Sequence, residues 1–590
     1  MKVKIIISGL VLILVLFASC ESYLDKTPDA TVTDKDIFGT FKSFQGFMDP
    51  CYADVVDYNN YQKASGDFGG DVYSYSGWSA AMYGNNGNYT TMFKVAQHDI
   101  FNASYPNYPG GIWPGGWRTI RLCNLALKNL PLLVNATDEE KTLIKGQIYF
   151  FRAMCHQAII ECFGGMPYID TVFAASDELR MPRITYQACT ERIVEDFDKA
   201  IALLPGNWDN TVVGASRGVG ANVGRATKGA ALAYKAKALL YAASPLMNKF
   251  SGSSDYTYNV DYAKRAAAAG WDFITWNNST NTYALLTFTN YNDQFSKRDG
   301  TMPWTSETIW QRVINRVGRD TWFQYQRHIT AGITRFGGGG NCETVNQLYI
   351  DKFEMADGSR YQLSYDSDNS KRWVGRDPRF YKSIIIDREQ HGTSPLTKVN
   401  FYEGTGSDKV VAQQVALPYA IKKFWLKGAN EYDKQYDGYR TVYPKMRLAE
   451  VYLDYAEAVT AAYGPGGSAP GSTLTAVGAL NIVRQRAGMP DVTEAATGYA
   501  NFMDLVRNER NVELCFEGHY WWDIRRWYIG HLPENKLIVD LHFDKNWTPS
   551  SFSRTTFFTR VFEDPKHYWM PIPRNMTLLY PGMYQNPGWQ

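Results

Sequence analysis

Apolar residues recur at helical spacing over several stretches of the chain. In the clearest stretch, residues 138–163, one face of the predicted helix carries Ile144, Ile148, Phe151, Cys155, Ile159 and Cys162. Thr137 and the acidic residues 138–140 supply the N-cap and first-turn charges that favour a helix start. Gly164 and Pro167 follow the last periodic residue and favour a helix end. The pattern therefore predicts one long amphipathic helix with defined ends.

Similar periodicity predicts eight further helical stretches, at residues 34–58, 117–131, 185–204, 225–243, 258–270, 444–463, 474–488 and 500–517. The middle of the chain, about 271–440, shows no regular period, and the tail from Pro533 is predicted to be loop-like. Paired helices of this length are typical of tetratricopeptide-type helix–turn–helix repeats. We predict a mostly α protein, with tetratricopeptide-like helical repeats and a large irregular, loop-rich portion packed on them.

The first twenty residues have the pattern of an export signal. Lys2 and Lys4 precede an apolar run, 5–17, that is too short to span a bilayer. The sequence Phe-Ala-Ser-Cys at 17–20 resembles a bacterial lipoprotein box, in which small residues precede a lipidated cysteine. We therefore predict a lipoprotein signal peptide at 1–19 and lipidation of Cys20. The alternative is an ordinary secretory signal with an incidental cysteine.

Composition excludes several classes of protein. The 590 residues carry a formal net charge of +2, and removal of Lys2 and Lys4 with the signal leaves 59 basic and 59 acidic residues. A neutral chain argues against a nucleic-acid binder that works through a basic surface. The 15% of aromatic residues argue against disorder. The eight cysteines are too few for a disulfide scaffold, and we expect Cys155 and Cys162 to be buried thiols.

Short motifs that resemble catalytic or metal sites lack their structural context. Residues 214–218 match the G-x-S-x-G nucleophile elbow, but polar, Gly-rich sequence flanks them where a buried strand is needed. Asp366 and Asp368 begin like an EF-hand loop, yet Lys371 stands where the sharp turn requires glycine. The eight histidines show no metal-binding spacing. The sequence therefore predicts no catalytic residue, no metal site and no cofactor.

Three glutamates, Glu509, Glu513 and Glu517, are predicted to form a row on one helix face. A hydrolase could use two of them as acid and base. Like charges at this spacing repel one another unless cations lie between them. Because arginines lie close in the sequence, at 507, 510, 525 and 526, we interpret the row as a structural ion network.

Several segments of the chain resemble the SusD/RagB family in order along the sequence. The segments that carry the resemblance are 113–124, 147–165, 376–380, 446–458, 479–488, 506–519, 522–527, 571–573 and 585–588. They include Arg-Leu-Ala-Glu-Val-Tyr-Leu-Asp-Tyr-Ala-Glu-Ala within 446–458 and Gln-Asn-Pro-Gly at 585–588. The resemblance spans nearly the whole chain after the predicted signal.

The resemblance implies a lipid-anchored outer-membrane protein that faces the cell surface and is not an enzyme. Proteins of this family have a tetratricopeptide-like half that packs against a SusC-like TonB-dependent transporter, and they pass nutrients, most often oligosaccharides, to it. It divides the chain after the signal into an N-terminal helical region, 20–270, and a C-terminal region, 271–590, with helices within 444–527. Ligand contacts in this family lie in variable loops, so they must be sought in the sequence itself.

Residues 58–113 are the candidate ligand loop. They hold 13 aromatic residues and five charged ones among 56 positions, with Gly and Asn filling much of the rest. An aromatic ring offers an apolar face to the C–H face of a sugar, and polar side chains can bind the hydroxyl rim. A second aromatic region, 304–325, could contribute. The predicted ligand-binding residues are Tyr73, Tyr75, Trp78, Tyr83, Asn85, Tyr89, Trp322 and Tyr325. At least half of the loop aromatics are expected to pack on the helices instead.

Three functions remain open from the sequence. The first is a glycan-binding lipoprotein that takes up oligosaccharide or polysaccharide for polysaccharide utilisation together with a TonB-dependent transporter. The second is a peptide-binding import component of the same family. The third is a secreted glycoside hydrolase with an unrecognised carboxylate pair.

Overall fold

The computed structural model describes residues 32–55, 72–74, 84–89, 112–174, 176–177, 180–250, 256–313, 317–319, 343–411, 414–415, 417–579 and 581–589. Predicted features in the remaining residues, including the signal peptide and Cys20, lie outside the described part. Within that part, no helix combines the length and apolar character needed to cross a membrane.

The described α-helices follow one another in the order α1 Asp34–Phe38, α2 Phe41–Ala53, α3 Ile112–Asn129, α4 Asp138–Phe163, α5 Tyr186–Leu203, α6 Val212–Arg217, α7 Lys228–Ala243, α8 Pro245–Phe250, α9 Val260–Thr280, α10 Gln347–Ile350, α11 Pro378–Ser383, α12 Leu448–Tyr463, α13 Ala476–Ala487, α14 Phe502–Glu513, α15 Tyr520–Arg526, α16 Pro533–Lys536 and α17 Arg574–Thr577. Short 3-10 turns lie at Leu130–Leu132, Trp208–Asn210, Phe288–Gln294, Leu363–Ser367, Pro395–Thr397, Pro549–Ser551 and Lys566–Tyr568.

The long helices form a layered array in which each packs on the next. Helix α3 packs on α4, α4 on α5, α5 on α7, α7 on α9, α9 on α12, and α12 on both α13 and α14. This arrangement and the helix lengths confirm the predicted mostly α class with helical repeats. Two close approaches depend on small residues. The alanines of α7 are buried, and a Cβ at Gly270 would lie 3.2 Å from the ring of Tyr455.

Helix α4 has the bounds that the sequence predicts. Thr137 accepts a hydrogen bond from the backbone N–H of Glu140, and the Glu140 side chain accepts one from the backbone N–H of Thr137, which completes a capping box. Gly164 ends the helix with φ +75°, a value that favours glycine. Cys155 and Cys162 are buried free thiols, as predicted.

Strands are short and lie mainly in the irregular middle and the C-terminal part. They are β1 Val72–Ser74, β2 Ser296–Lys297, β3 Thr308–Trp310, β4 Glu343–Val345, β5 Ile384–Ile385, β6 Val410–Val411, β7 Gln414–Val415, β8 Ala420–Ile421, β9 Arg440–Thr441, β10 Met446–Arg447, β11 Leu537–His542 and β12 Ser553–Thr559. A four-stranded sheet has the order β1-β4-β8-β5. The other described strands form four two-stranded sheets, which pair β10 with β3, β11 with β12, β2 with β9 and β6 with β7. A second aromatic-rich core lies under this sheet and is distinct from the main helical core.

Several sequence predictions differ from the structure. The stretch 34–58 forms two helices that break at Gly39 and Thr40, because Thr40 caps α2 and its backbone bridges to Asn135. Helix α14 ends at Glu513, before Glu517. The tail contains the antiparallel hairpin β11–β12, which was predicted as loop because the sequence of β12 does not alternate between apolar and polar residues.

The end of the chain is attached to the rest of the protein by several hydrogen bonds, three of which involve the side chain of Asn586. The amide of Asn586 donates to the carbonyl oxygens of Phe163, at 3.0 Å, and Met570, at 2.6 Å. Its side-chain oxygen accepts from Arg183 at 2.9 Å. Through these bonds the Gln-Asn-Pro-Gly segment connects the end of the chain to the last residue of α4 and to the segment before α5.

Candidate ligand-binding site

The first aromatic segment is described in three short pieces, namely β1, residues 84–89 and residues 112–113 at the start of α3. Tyr73 lies in β1, where its backbone is in register with Thr344 of β4. Five predicted ligand residues lie outside the described part, namely Tyr75, Trp78, Tyr83, Trp322 and Tyr325. Their predicted role is therefore untested by the geometry.

The pairing of β1 with β4 places Ser74, the last residue of β1, opposite Glu343, the first residue of β4. In the second aromatic region, residues 308–310 form β3, which pairs with β10 in a separate two-stranded sheet. The described strands of the two aromatic regions therefore belong to different sheets.

Asn85 is buried, with 2% of its surface exposed. Its side-chain oxygen accepts a hydrogen bond from Nε of Arg560 at 2.7 Å, and its carbonyl accepts one from the backbone N–H of Val561 at 2.8 Å. The segment 84–89 is thereby held to the chain that follows β12. The sequence predicts a ligand-binding role for Asn85 because nothing near it in the sequence indicates these distant partners.

Tyr89 is also buried, with 1% exposed. Its ring packs against Trp521, His567 and Trp589, with centroid separations of 5.7, 4.8 and 5.8 Å. Its hydroxyl accepts a hydrogen bond from Arg525, and burial raises the pKa of Tyr89. In this structure, therefore, neither Asn85 nor Tyr89 presents its side chain to solvent, and both anchor the segment to C-terminal residues.

The predicted glutamate row is a buried ion network, which confirms the structural interpretation. Glu513 receives hydrogen bonds from Arg447 at 2.8 Å, from Arg379 at 3.1 Å and from Arg486. Burial opposes ionisation of Glu513, but the guanidinium groups hold its pKa well below the ordinary value. A carboxylate fixed by three cations is a poor proton donor or acceptor at neutral pH.

The other two glutamates are equally engaged. Glu509 binds Arg379 and Arg484, and Glu517 binds Arg447 at 2.8 Å and Lys423 at 2.6 Å. The cations predicted from sequence proximity were wrong. The arginines at 510 and 526 instead bind acids of α12 and α15, namely Asp454, Glu457 and Asp523. The true partners come from segments that are distant in sequence, so spacing could not reveal them.

A cavity of about 90 Å³ lies between α3, α4, α7 and the turn after α14. Gln157, Glu161, Lys237 and His519 contribute polar groups to a lining that is mostly apolar and includes Trp310. Burial raises the pKa of Glu161 and lowers that of His519. An engineered cavity of about 150 Å³ binds benzene. The cavity bounded by the described residues therefore has room for several water molecules but less volume than one known to hold a six-membered ring.

One group of described residues, Glu403, Asp540 and His542, has ligand atoms within 4.8 Å of one another, as in a metal site. The ammonium of Lys409 contacts Glu403 and lies 2.8 Å from the Asp540 carboxylate. Because the Lys409 ammonium already pairs with both acids, we interpret the group as a partly exposed ion cluster beside the hairpin β11–β12.

Two family models together match most of the chain. The model of the SusD family matches residues 306–589, and the model described as "Starch-binding associating with outer membrane" matches residues 22–240. The chain belongs to the SusD/RagB family. The family is one of SusD-like binding proteins, and the second description associates it with the outer membrane.

Relatives within the SusD/RagB family agree over most of the chain. A SusD-like protein of Formosa agariphila, named P2, is 25% identical over 74% of this chain and 75% of its own length. A solved SusD-like protein of Bacteroides fragilis covers 95% of this chain and 99% of its own, with 22% identity and a TM-score of 0.67. A second solved protein of Bacteroides fragilis, titled a SusD-like carbohydrate binding protein, covers 93% and 100%, with 20% identity and a TM-score of 0.67. The fold is therefore that of SusD-like proteins.

Proposed function

We propose that this chain is a glycan-binding outer-membrane lipoprotein that captures oligosaccharide or polysaccharide and delivers it to a SusC-like TonB-dependent transporter. The proposal rests on membership of the SusD/RagB family, whose second matching model is described as starch-binding. The density of aromatic residues in 58–113 supports a sugar as the ligand.

The proposed contacts are aromatic rings that stack on sugar rings, with polar side chains at the rim. Tyr73, Tyr75, Trp78, Tyr83, Asn85, Tyr89, Trp322 and Tyr325 remain the proposed ligand residues. Asn85 and Tyr89 would have to leave their present hydrogen bonds to reach a ligand. Trp78 and Tyr83 are therefore the first residues to change.

Calorimetry with a panel of oligosaccharides tests binding directly. Residues 21–590 should bind at least one glycan, and Trp78→Ala or Tyr83→Ala should weaken that binding about fivefold or more, as expected when one stacking ring is lost. Tyr432→Ala is a matched control, because Tyr432 is 43% exposed and lies outside both aromatic segments. If both ring deletions leave the affinity unchanged, the proposed site is wrong.

Release of product from labelled polysaccharide separates binding from hydrolysis. We expect no cleavage by the purified chain, because each glutamate of the candidate carboxylate row is held by at least two cationic groups. Reducing ends released from the polysaccharide by the purified wild-type chain would contradict the binding-only role and favour the hydrolase.

Calorimetric titration with peptide mixtures under the same conditions tests the alternative that the chain binds peptides. Binding of a peptide and of no glycan would replace the proposed ligand class and leave the transport role intact. No binding of either would contradict the capture role as a whole.

The anchor and the transporter partner need separate tests. Cys20→Ser should abolish incorporation of labelled palmitate and release the protein from the outer membrane, because one lipidated cysteine is the proposed anchor. The wild-type lipoprotein should co-purify from detergent with a TonB-dependent transporter. A fully lipidated protein that co-purifies with no transporter would contradict delivery.

A further inference from the structure

A cleft of about 220 Å³ lies where four segments of the helical half meet. It is bounded by the turn after α5, the loop before α7, the residues after α9 and the segment that leads into β3. An engineered cavity of about 150 Å³ binds benzene, whereas pockets for whole drug-sized ligands run from about 300 Å³ upward. The cleft therefore has room for one six-membered ring. None of the predicted ligand residues lines it.

Trp304 supplies an aromatic wall of the cleft. Its ring is partly buried against the main helical core. Within the described chain, no aromatic ring stacks on Trp304 and no cation lies over it. Its indole N–H also has no hydrogen-bond acceptor there. The side chain therefore has both an apolar ring surface and a hydrogen-bond donor available for a ligand.

Hydrogen bonds hold the backbone on both sides of Trp304. The side-chain amide of Gln311 donates to the carbonyl of Pro303 at 2.8 Å. The backbone N–H of Ala284 donates to the carbonyl of Ser306 at 3.0 Å, and the Ser306 hydroxyl donates to the carbonyl of Ala284 at 3.0 Å. The wall is thus built before a ligand arrives, and a preformed site loses little conformational entropy on binding.

Uncharged polar side chains with spare hydrogen-bonding capacity also line the cleft. Asn207 is exposed, and its side-chain oxygen accepts from the backbone N–H of Asp209 at 2.9 Å. Its two side-chain N–H groups have no acceptor among the described residues. The Thr305 hydroxyl accepts from the backbone N–H of Glu307 at 3.3 Å, and a hydroxyl has a further lone pair and one donor. Donors and acceptors therefore both surround the space beside Trp304.

The two charged side chains that line the cleft already have partners. Asp209 accepts from the side-chain amide of Asn222 at 2.7 Å and from the backbone N–H of Gly220 at 3.1 Å. The guanidinium of Arg225 lies 2.9 Å from the carboxylate of Asp49. Because neither charge depends on a counter-charge from the ligand, the cleft suits a neutral molecule. A neutral ring with an apolar C–H face and a rim of hydroxyls, such as a pyranose, has the matching chemistry.

We propose that this cleft is a subsite for one neutral sugar unit, which packs against Trp304 and hydrogen-bonds through its hydroxyls to Asn207 and Thr305. The subsite rests on the proposed carbohydrate-binding function and takes a free monosaccharide or the end unit of a chain. Because none of the predicted ligand residues lines the cleft, the two sites can be removed independently.

Fluorine nuclear magnetic resonance of residues 21–590 labelled with fluorotryptophan tests this subsite. The Trp304 signal is assigned by its loss in Trp304→Phe, and the probes are glucose, galactose, mannose, xylose and glucuronate. We expect at least one of the neutral sugars to shift the Trp304 signal, and glucuronate to shift it less at the same concentration.

Three variants locate the binding. Val223→Trp should abolish the shift, because Val223 lines the cleft and a bulky ring there fills it. Val219→Trp is a matched control that should keep the shift, since Val219 lies in the same loop, is 95% exposed and does not line the cleft. Asn207→Ala changes an exposed position and should weaken the binding about threefold or more, as expected for one lost hydrogen bond.

Each other outcome overturns the subsite. It is wrong if no neutral sugar moves the Trp304 signal, if glucuronate moves it more than the neutral sugars do, or if Val223→Trp and Asn207→Ala both leave the binding unchanged. Calorimetric binding of a glycan with an unmoved Trp304 signal would remove the subsite and leave the proposed function standing. Absence of glycan binding in both experiments would remove both.

Discussion

Replacement of Glu513 by glutamine tests whether the glutamate row is structural. Glu513 is fully buried and receives hydrogen bonds from Arg379, Arg447 and Arg486. The variant keeps the shape of the side chain and removes its charge. Three buried guanidinium groups then lose part of their neutralisation, while Glu509 and Glu517 still bind two of them.

The expected loss of stability is large because Glu513 and its partners are buried. Removal of one partner from a buried ion pair typically costs about 3–5 kcal/mol, since it leaves an uncompensated charge in a low dielectric. The Glu195 pair with Arg192 is a suitable control. Both side chains are about half exposed, and such pairs contribute about 0–1 kcal/mol.

Urea unfolding followed by circular dichroism measures the change in the free energy of unfolding. Glu513→Gln should lower it by about 3–5 kcal/mol, and the loss should persist at high salt because buried charges are weakly screened. Glu195→Gln should change it by less than about 1 kcal/mol. An unchanged or more stable Glu513→Gln protein would refute the structural interpretation, because removal of a strained catalytic group often stabilises a protein.

Three further predictions concern the described core. Burial alone would raise the pKa of Glu457, but Arg526 lowers it to about 2, so the stability contributed by the ionised Glu457 is present above about pH 4.5 and is lost as the pH falls towards 2. Glu457→Gln should therefore lower the free energy of unfolding by about 3 kcal/mol at pH 7 and make stability less dependent on pH in the acid range. An unchanged acid dependence would contradict this. Asn586→Ala should lower the free energy of urea unfolding by about 1–3 kcal/mol, because the Met570 carbonyl loses its Asn586 donor while the Phe163 carbonyl keeps Arg183, and a change below about 0.5 kcal/mol would contradict this. In residues 21–590 carrying Cys342→Ser, the described thiols should react with Ellman's reagent only after unfolding, and fast reaction of the native chain would contradict their burial; they are Cys51, Cys123, Cys155, Cys162, Cys189 and Cys515.

The helical array could be predicted where periodicity and end signals agree. Helix α4 has both a capping box and a terminal glycine, and its bounds match the prediction. Helix α9 continues ten residues beyond the predicted end at Gly270, because this glycine lies inside the helix against Tyr455 and does not stop it. A glycine thus ends α4 but lies inside α9, and the tertiary contacts of each glycine determine which of the two occurs.

The ligand residues stay a prediction, because sequence reasoning has no access to the long-range contacts around them. Aromatic density favours segment 58–113, but the sequence does not show that β1 pairs with β4 or that Tyr89 packs on Trp521. The glutamate row was correctly interpreted as structural, since like charges at helical spacing need cations. Its partners, such as Arg379 and Lys423, come from segments about 90–130 residues away and cannot be found by spacing.

Calorimetric titration of residues 21–590 with an oligosaccharide panel tests the central claim most directly. The account predicts that at least one glycan binds, is recovered uncleaved, and binds at least about fivefold more weakly when Trp78 and Tyr83 are both changed to alanine. Glycan binding that this double variant leaves unchanged, or the absence of glycan binding altogether, would contradict it.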